Sequence, residues 1–169
     1  EILKHGLIRK NQYFSWMNAH FNEILSLDYS TVETMIYESC IIKRDVVERD
    51  PKEKGERALL NFGHTIGHAI EKLSNFELSH GVCVGLGIVS ASYISYRLGN
   101  LSKAELTNIE ETLQHFGLQT RIHHLKPQDI LDATKLDKKM VGNSIKFILL
   151  QHPGDAYICR ELTDEQIME

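Results

Sequence analysis

The sequence predicts a mainly α, multihelical domain with a small β-hairpin near its C-terminus. Three observations carry that prediction. Apolar residues recur at helical spacing along most of the chain. Several of these stretches are bracketed by residues that start and stop helices. The period changes only near the end, where "SIKFILL" and "AYIC" read as short strands around "QHPGD". The 169 residues suffice for one domain with a real core. No internal repeat, low-complexity tract or linker divides them, so residues 1–169 are expected to form a single helical unit.

The opening "EILKHGLIRK" starts in the middle of a helical pattern and without a Met, which suggests a piece of something longer. It has neither the apolar run nor the cleavage site of a signal peptide. Tyr13, Trp16, Met17, His20, Phe21 and Ile24 follow helical spacing. "DYSTVETMIYESCIIKRDVVERDP" offers N-caps at Asp28 or Ser30 and a stop at Pro51. Its apolar face is expected to hold Val32, Met35, Ile36, Cys40 and Val47, with Lys43 on the same side. A lysine there either extends its ammonium to solvent or points into a polar site.

"PKEKGE" reads as a loop, and "GHTIGHAIEKL" as a helix after it. "HGVCVGLGIVSASYISYRLG" is apolar nearly all round, which predicts a buried central helix ending at Gly99 and Asn100. Its least polar part, Gly81 to Ile94, is too short to span a membrane. "LSKAELTNIEETLQHFG" is amphipathic, with Ser102 and Glu105 as a capping box and Gly117 just past its end. "KPQDILDATKLDKK" places Pro127 near the first helical position. "TDEQIME" would begin a last helix.

Composition excludes several classes of function. Hydrophobic residues make up 42% and the net charge is −4, so general nucleic-acid binding is not expected. The three cysteines are scattered and form no CxxC pair, which argues against a disulfide framework or zinc ribbon and fits a reducing cytoplasm.

Three histidines fall within "NFGHTIGHAIEKLSNFELSHG". His64 and His68 are four apart, on one helix face. His80 follows at the start of the apolar run. Two histidines and a carboxylate could hold a catalytic divalent metal, although a His-x3-His pair alone is equally an ordinary surface feature. This is not the zincin signature, since Thr65 follows the first histidine. Gly63 and Gly67 flank the pair, and a helical glycine costs about 1 kcal/mol relative to alanine. Close approach by a ligand or another backbone would account for them. Arg57 and Asn61, one turn apart if helical, could join Lys43 in a pocket for an anionic, hydroxylated substrate. Alternatively Arg57 pairs with Glu53 at the surface. Lys138 and Lys139 lie at a helix-to-strand junction, where they either meet a phosphate or are solvated, with Asp137 able to neutralise one.

The ordered set "EILKHGLI", "KRDVVERDPKEKGERALLNFGHTIGHAIE", "HGVCVGLGIVSASY" and "DKKMVGNSIKFILLQHPGDAY" resembles the C-terminal helical half of the 3-dehydroquinate synthases. The resemblance spans nearly the whole chain. It implies conversion of 3-deoxy-D-arabino-heptulosonate 7-phosphate to 3-dehydroquinate and phosphate, in the shikimate route to aromatic amino acids. It further implies NAD, a divalent metal (zinc or cobalt), a cytoplasmic homodimer when intact, and no membrane partner. Glu1, His64 and His80 match the metal ligands. Lys4, Lys43, Arg57, Asn61 and His68 match substrate-binding positions. Glu53 matches an acidic partner that orients them, and one of Lys138 and Lys139 matches a substrate contact.

Two residues depart from the family pattern. Val82 stands where Glu is usual after "HG", and His5 replaces Tyr in "KYG". No G-x-G-x-x-G follows a strand, so the N-terminal NAD-binding α/β domain is expected to be absent, and the fragment alone is expected to be inactive. Other readings stay open: a related sugar-phosphate cyclase such as 2-deoxy-scyllo-inosose synthase, a metal-dependent polyol dehydrogenase, or a non-catalytic metal-binding helical domain.

Overall fold

The structure, a computed structural model, describes residues 1–139 and 145–168, with residues 137–139 described by their backbone only. Among the described residues are nine α-helices, one 3-10 helix and a two-stranded sheet. The helices are α1 (Ile2–Arg9), α2 (Asn11–Ala19), α3 (Phe21–Leu25), α4 (Tyr29–Arg49), α5 (His64–Leu73), α6 (His80–Arg97), α7 (Lys103–His115), α8 (Pro127–Lys139) and α9 (Asp164–Met168). The 3-10 helix Glu56–Asn61 precedes α5, and the hairpin of β1 (Phe147–His152) and β2 (Asp155–Cys159) precedes α9. None of the described helices is long and apolar enough to cross a membrane.

Helix α6 is the centre, as its all-round apolarity predicts. Cys83, Val84, Leu86, Ile88, Ala91 and Ile94 are all buried. The hairpin packs on it: Ser95 Oγ accepts from Leu150 N, and Asn100 Nδ2 donates to the Leu150 carbonyl. The strands pair antiparallel, Leu149 opposite Tyr157. Phe147 to Leu150 are buried in an unbroken run rather than alternately, and β1 packs against both α6 and the 3-10 helix as well as β2. The turn is tied back to α1, where Gly154 N donates to the Leu7 carbonyl at 2.7 Å.

The capping signals translate directly. Asp28, rather than Ser30, caps α4 by accepting from Thr31 N, while Ser30 Oγ itself donates to Asp28. Ser102 and Glu105 form the reciprocal capping box of α7, and Gly117 follows its end at φ 71°. Ser102→Ala removes one partner of that box. It is expected to cost about 1 kcal/mol and to lower the melting temperature by about 2–4 °C, measured by calorimetry.

One expectation is corrected. The buried face of α4 is Ser39, Ile42 and Val46, not Val32, Ile36, Cys40 and Val47. Ile36 is 49% exposed, Cys40 is exposed, and Met35 packs only partly against the core. The face is rotated by about one residue, some 100° of helix. Helix α4 is greasy on more than one side, and its neighbours select the side. The buried hydroxyl of Ser39 is favoured because His5 on α1 lies 2.7 Å from it.

Candidate metal centre and substrate cleft

Helices α5 and α6 bring the three histidines together because their backbones nearly touch. A Cβ on Gly87 would fall 1.8 Å from the Gly63 carbonyl oxygen, and one on Gly67 would fall 2.9 Å from the Cys83 carbonyl. Gly63 itself sits just before α5 at φ 81°, a left-handed conformation that favours glycine. Gly63 and Gly67 therefore serve helix-to-helix contact.

At that junction the His64 ring centroid lies 5.2 Å from that of His68 and 5.3 Å from that of His80. One ligand atom from each of the three lies within 4.8 Å of the others. Glu1 completes the group from α1's N-cap position: its Oε1 is 3.4 Å from Nε2 of both His64 and His80.

Hydrogen bonding determines what these atoms offer. His64 Nδ1 is 3.2 Å from the Phe62 carbonyl, which can only accept, so Nδ1 carries the proton and Nε2 presents a lone pair. His80 has a carboxylate on each side, Glu71 Oε2 3.4 Å from Nδ1 and Glu1 Oε1 3.4 Å from Nε2, so a proton held on Nδ1 by Glu71 frees Nε2 to ligate. Burial, then the nearby Lys4 charge, holds His64 below its ordinary pKa and so in the neutral form. Burial opposes ionisation of Glu1, but the Lys4 hydrogen bond and charge outweigh it and hold the carboxyl at about 2. The His64 lone pair thus faces an ionised carboxylate oxygen that His80 Nε2 also approaches. A cation between them satisfies all three. Tetrahedral zinc, with N and O ligands at about 2.0–2.2 Å, separates its ligands by roughly 3.3–3.5 Å. The donor set fits a divalent metal.

Two adjoining clefts open from this cluster. One, of about 470 Å³, is lined by Glu1, Lys4, His5, Lys43, Arg57 and Asn61 among others. The second, of about 520 Å³, lies on the other side of His64 and includes His68, Thr65 and Lys146. Glu53, Asn61 and His64 border both. Lys43 is exposed yet reaches the rim of the first cleft, so it neither sits in an apolar face nor points away from His64. Lys4 is 4% exposed and paired with Glu1 at 2.6 Å. Burial depresses its pKa, and the Glu1 bond partly restores it.

Asp50 builds the loop before the 3-10 helix. Its two carboxylate oxygens accept from the backbone N–H groups of Lys54, Gly55 and Arg57. This presents Glu53, at φ 52°, to Asn61 Nδ2 at 3.4 Å and Arg57 Nε at 4.0 Å. The surface pair Arg57–Glu53 and the cleft position of Arg57 therefore coexist. The side chains of Lys138 and Lys139 lie outside the described residues.

Sequence reasoning missed Glu71, Lys146, Thr65 and the buried His5–Ser39 pair. Glu71 had a readable signal: it is seven residues after His64, on the face that carries His64 and His68. Lys146 had none, because its place depends on Thr65 Oγ1 donating to the Lys146 carbonyl across 81 residues.

The family model "3-dehydroquinate synthase C-terminal" matches residues 1–140. A 3-dehydroquinate synthase of Acetivibrio thermocellus is 36% identical over 169 residues, covering all of this chain and 47% of its own length. One from Halorhodospira halophila is 37% identical, again over the whole chain and 48% of its own length. The chain thus spans about half the length of these relatives. Among solved structures, 2-epi-5-epi-valiolone synthase from Streptomyces hygroscopicus subsp. jinggangensis, with NAD+ and Zn2+ bound, superimposes with a TM-score of 0.89 over 98% of this chain and 47% of its own, at 21% identity. A 2-deoxy-scyllo-inosose synthase complexed with carbaglucose-6-phosphate, NAD+ and Co2+ gives 0.83 over 99% of this chain and 48% of its own, at 22% identity. These two likenesses show a shared fold, and the match over residues 1–140 shows that the chain belongs to the 3-dehydroquinate synthase C-terminal family.

Proposed function

We propose that the chain supplies the metal- and substrate-binding half of a 3-dehydroquinate synthase, which converts 3-deoxy-D-arabino-heptulosonate 7-phosphate to 3-dehydroquinate and phosphate. The observation that carries the reading is the convergence of Glu1, His64 and His80 beside a cleft rich in cations. In this reading Glu1, His64 and His80 hold a divalent metal, zinc or cobalt, which when bound polarises substrate oxygens and acidifies an alcohol. NAD, held mainly by an α/β partner half, supplies the hydride chemistry. Cytoplasmic location and a homodimer belong to the same reading.

The chain's own residues bind and orient. Lys4, Lys43 and Arg57 offset the negative charge of the substrate's carboxylate and phosphate. Asn61 orients hydroxyls, and Glu53 fixes the Asn61 and Arg57 side chains that make those contacts. His68 faces the second cleft and serves the phosphate side, together with a lysine of the "DKK" element (Lys138 or Lys139). The neighbouring sugar-phosphate cyclases make a related cyclase activity the second reading. Identity of 36–37% to named 3-dehydroquinate synthases over the whole chain favours the first.

Two measurements test the proposal. Wild-type chain is expected to bind one equivalent of Co2+, and His64→Ala to bind it more than about 100-fold more weakly, since losing a ligand exceeds the cost of losing an outer partner. Joined to the N-terminal half of the Acetivibrio thermocellus relative, the chain should restore growth without aromatic amino acids to cells lacking 3-dehydroquinate synthase. The His64→Ala chimera should not. Equal cobalt affinity in the variant, or a chimera that releases phosphate only from another sugar phosphate, would overturn the assignment.

A further inference from the structure

We infer that Glu71 is a positioning residue for the metal centre: it fixes the ring and tautomer of His80 from the neighbouring helix. The inference rests on the metal-binding reading above and deepens it. The stripe His64, His68, Glu71 runs down one face of α5 at spacings of four and three. The first two reach the cluster, while the third crosses to α6 and meets its first residue. Glu71 Oε2 lies 3.4 Å from His80 Nδ1, and His80 Nε2 lies 3.4 Å from Glu1 Oε1. Carboxylate, imidazole and carboxylate thus stand in series, with the metal position at the Nε2 end.

The placement of Glu71 favours this role over a generic surface one. A carboxylate in the last turn of α5 opposes that helix's dipole, whereas beside the first residue of α6 it meets the favourable positive end. Its side chain is only 19% exposed, against 45% for His80. His80 is the ligand that most needs an anchor. It opens its helix, and Ser79 before it makes no side-chain cap. The His64 ring, in contrast, is held by the Phe62 carbonyl and is 13% exposed. A carboxylate on Nδ1–H also raises the basicity of the opposite nitrogen, which strengthens a metal bond.

The test uses the whole chain, with Co2+ alone as probe and its visible d–d absorption as readout, alongside Glu71→Ala, Glu71→Gln and His64→Ala. Glu71→Ala should weaken Co2+ binding about 10–100-fold. Glu71→Gln, which can still accept from Nδ1–H, should recover part of that loss. In the metal-free chain, where Glu71 and Glu1 face opposite nitrogens of His80 at equal distance, long-range nitrogen–proton NMR should find Nδ1 carrying a proton in part or all of the wild-type population and the proton moved to Nε2, toward Glu1, in Glu71→Ala. Thermal unfolding distinguishes both effects from loss of fold. If Glu71→Ala retained wild-type affinity and tautomer while His64→Ala lost the metal, the role of Glu71 would be overturned and the metal reading would stand. If wild-type chain failed to bind Co2+, or His64→Ala bound it equally, both would fall.

Discussion

Gly87→Ala is expected to destabilise the fold by about 3 kcal/mol or more and to pull the histidines apart. The added methyl would lie 1.8 Å from the Gly63 carbonyl oxygen and 2.9 Å from Gly67 N. Both are backbone atoms, so no side-chain rotation relieves the clash. Overpacking typically costs about 1–3 kcal/mol, and a backbone obstacle puts this substitution at the upper end. At about 2–4 °C per kcal/mol for a chain of this size, the melting temperature should fall by roughly 6–12 °C. Helices α5 and α6 would have to separate, and with them His64 and His80, so Co2+ affinity should drop in the same variant. Gly81→Ala is the control. It lies in the same helix beside His80, but nothing stands within 4 Å of its added methyl. Alanine there should be neutral, or stabilising by up to about 1 kcal/mol. Equal melting temperatures for Gly87→Ala and Gly81→Ala would refute the contact argument.

That contact marks the boundary of what the sequence could disclose. Gly63 and Gly67 could be recognised as costly in a helix, which demanded close approach by something. Whether it was a ligand or a backbone depended on Gly87, twenty-four residues after Gly63 and unremarkable inside an apolar run. Local signals behaved differently. The Ser102–Glu105 box and the change of period before the hairpin are written in adjacent residues, and both appear as expected. The apolar face of α4 did not follow, because Ile36 and Cys40 stay exposed while Ser39 is buried. Periodicity finds a greasy stripe, whereas burial of a serine requires a partner, here His5, 34 residues away. The site divides in the same way. His64 and His68 sharing a face is helix geometry, while the meeting of Glu1, His80 and Glu71 belongs to tertiary packing.

His5 should give the chain an acid-sensitive stability on the order of 3 kcal/mol. It is 7% exposed, and its Nδ1 lies 2.7 Å from Ser39 Oγ. Burial first, then the charges of Lys4 and Lys43, lower its pKa from 6.5 to about 4. A histidine whose folded pKa is depressed takes up its proton in the unfolded chain first as the pH falls. The contribution is therefore complete above about pH 6.5, declines from there to about pH 4, and has gone below it. At about 1.4 kcal/mol per tenfold difference in proton affinity, the separation of the two pKa values gives that magnitude. Glu1, whose carboxyl is also depressed, loses its contribution only below about 4.5, so most of the His5 window is clear of it. His5→Gln keeps a side chain able to bond Ser39 but cannot titrate. Urea unfolding at pH 7 and pH 4 is the measurement. Wild type should lose about 3 kcal/mol more than His5→Gln across that interval. If the two stability curves ran parallel between pH 7 and pH 4, His5 would not be the buried neutral group that ties the floor of the cleft together.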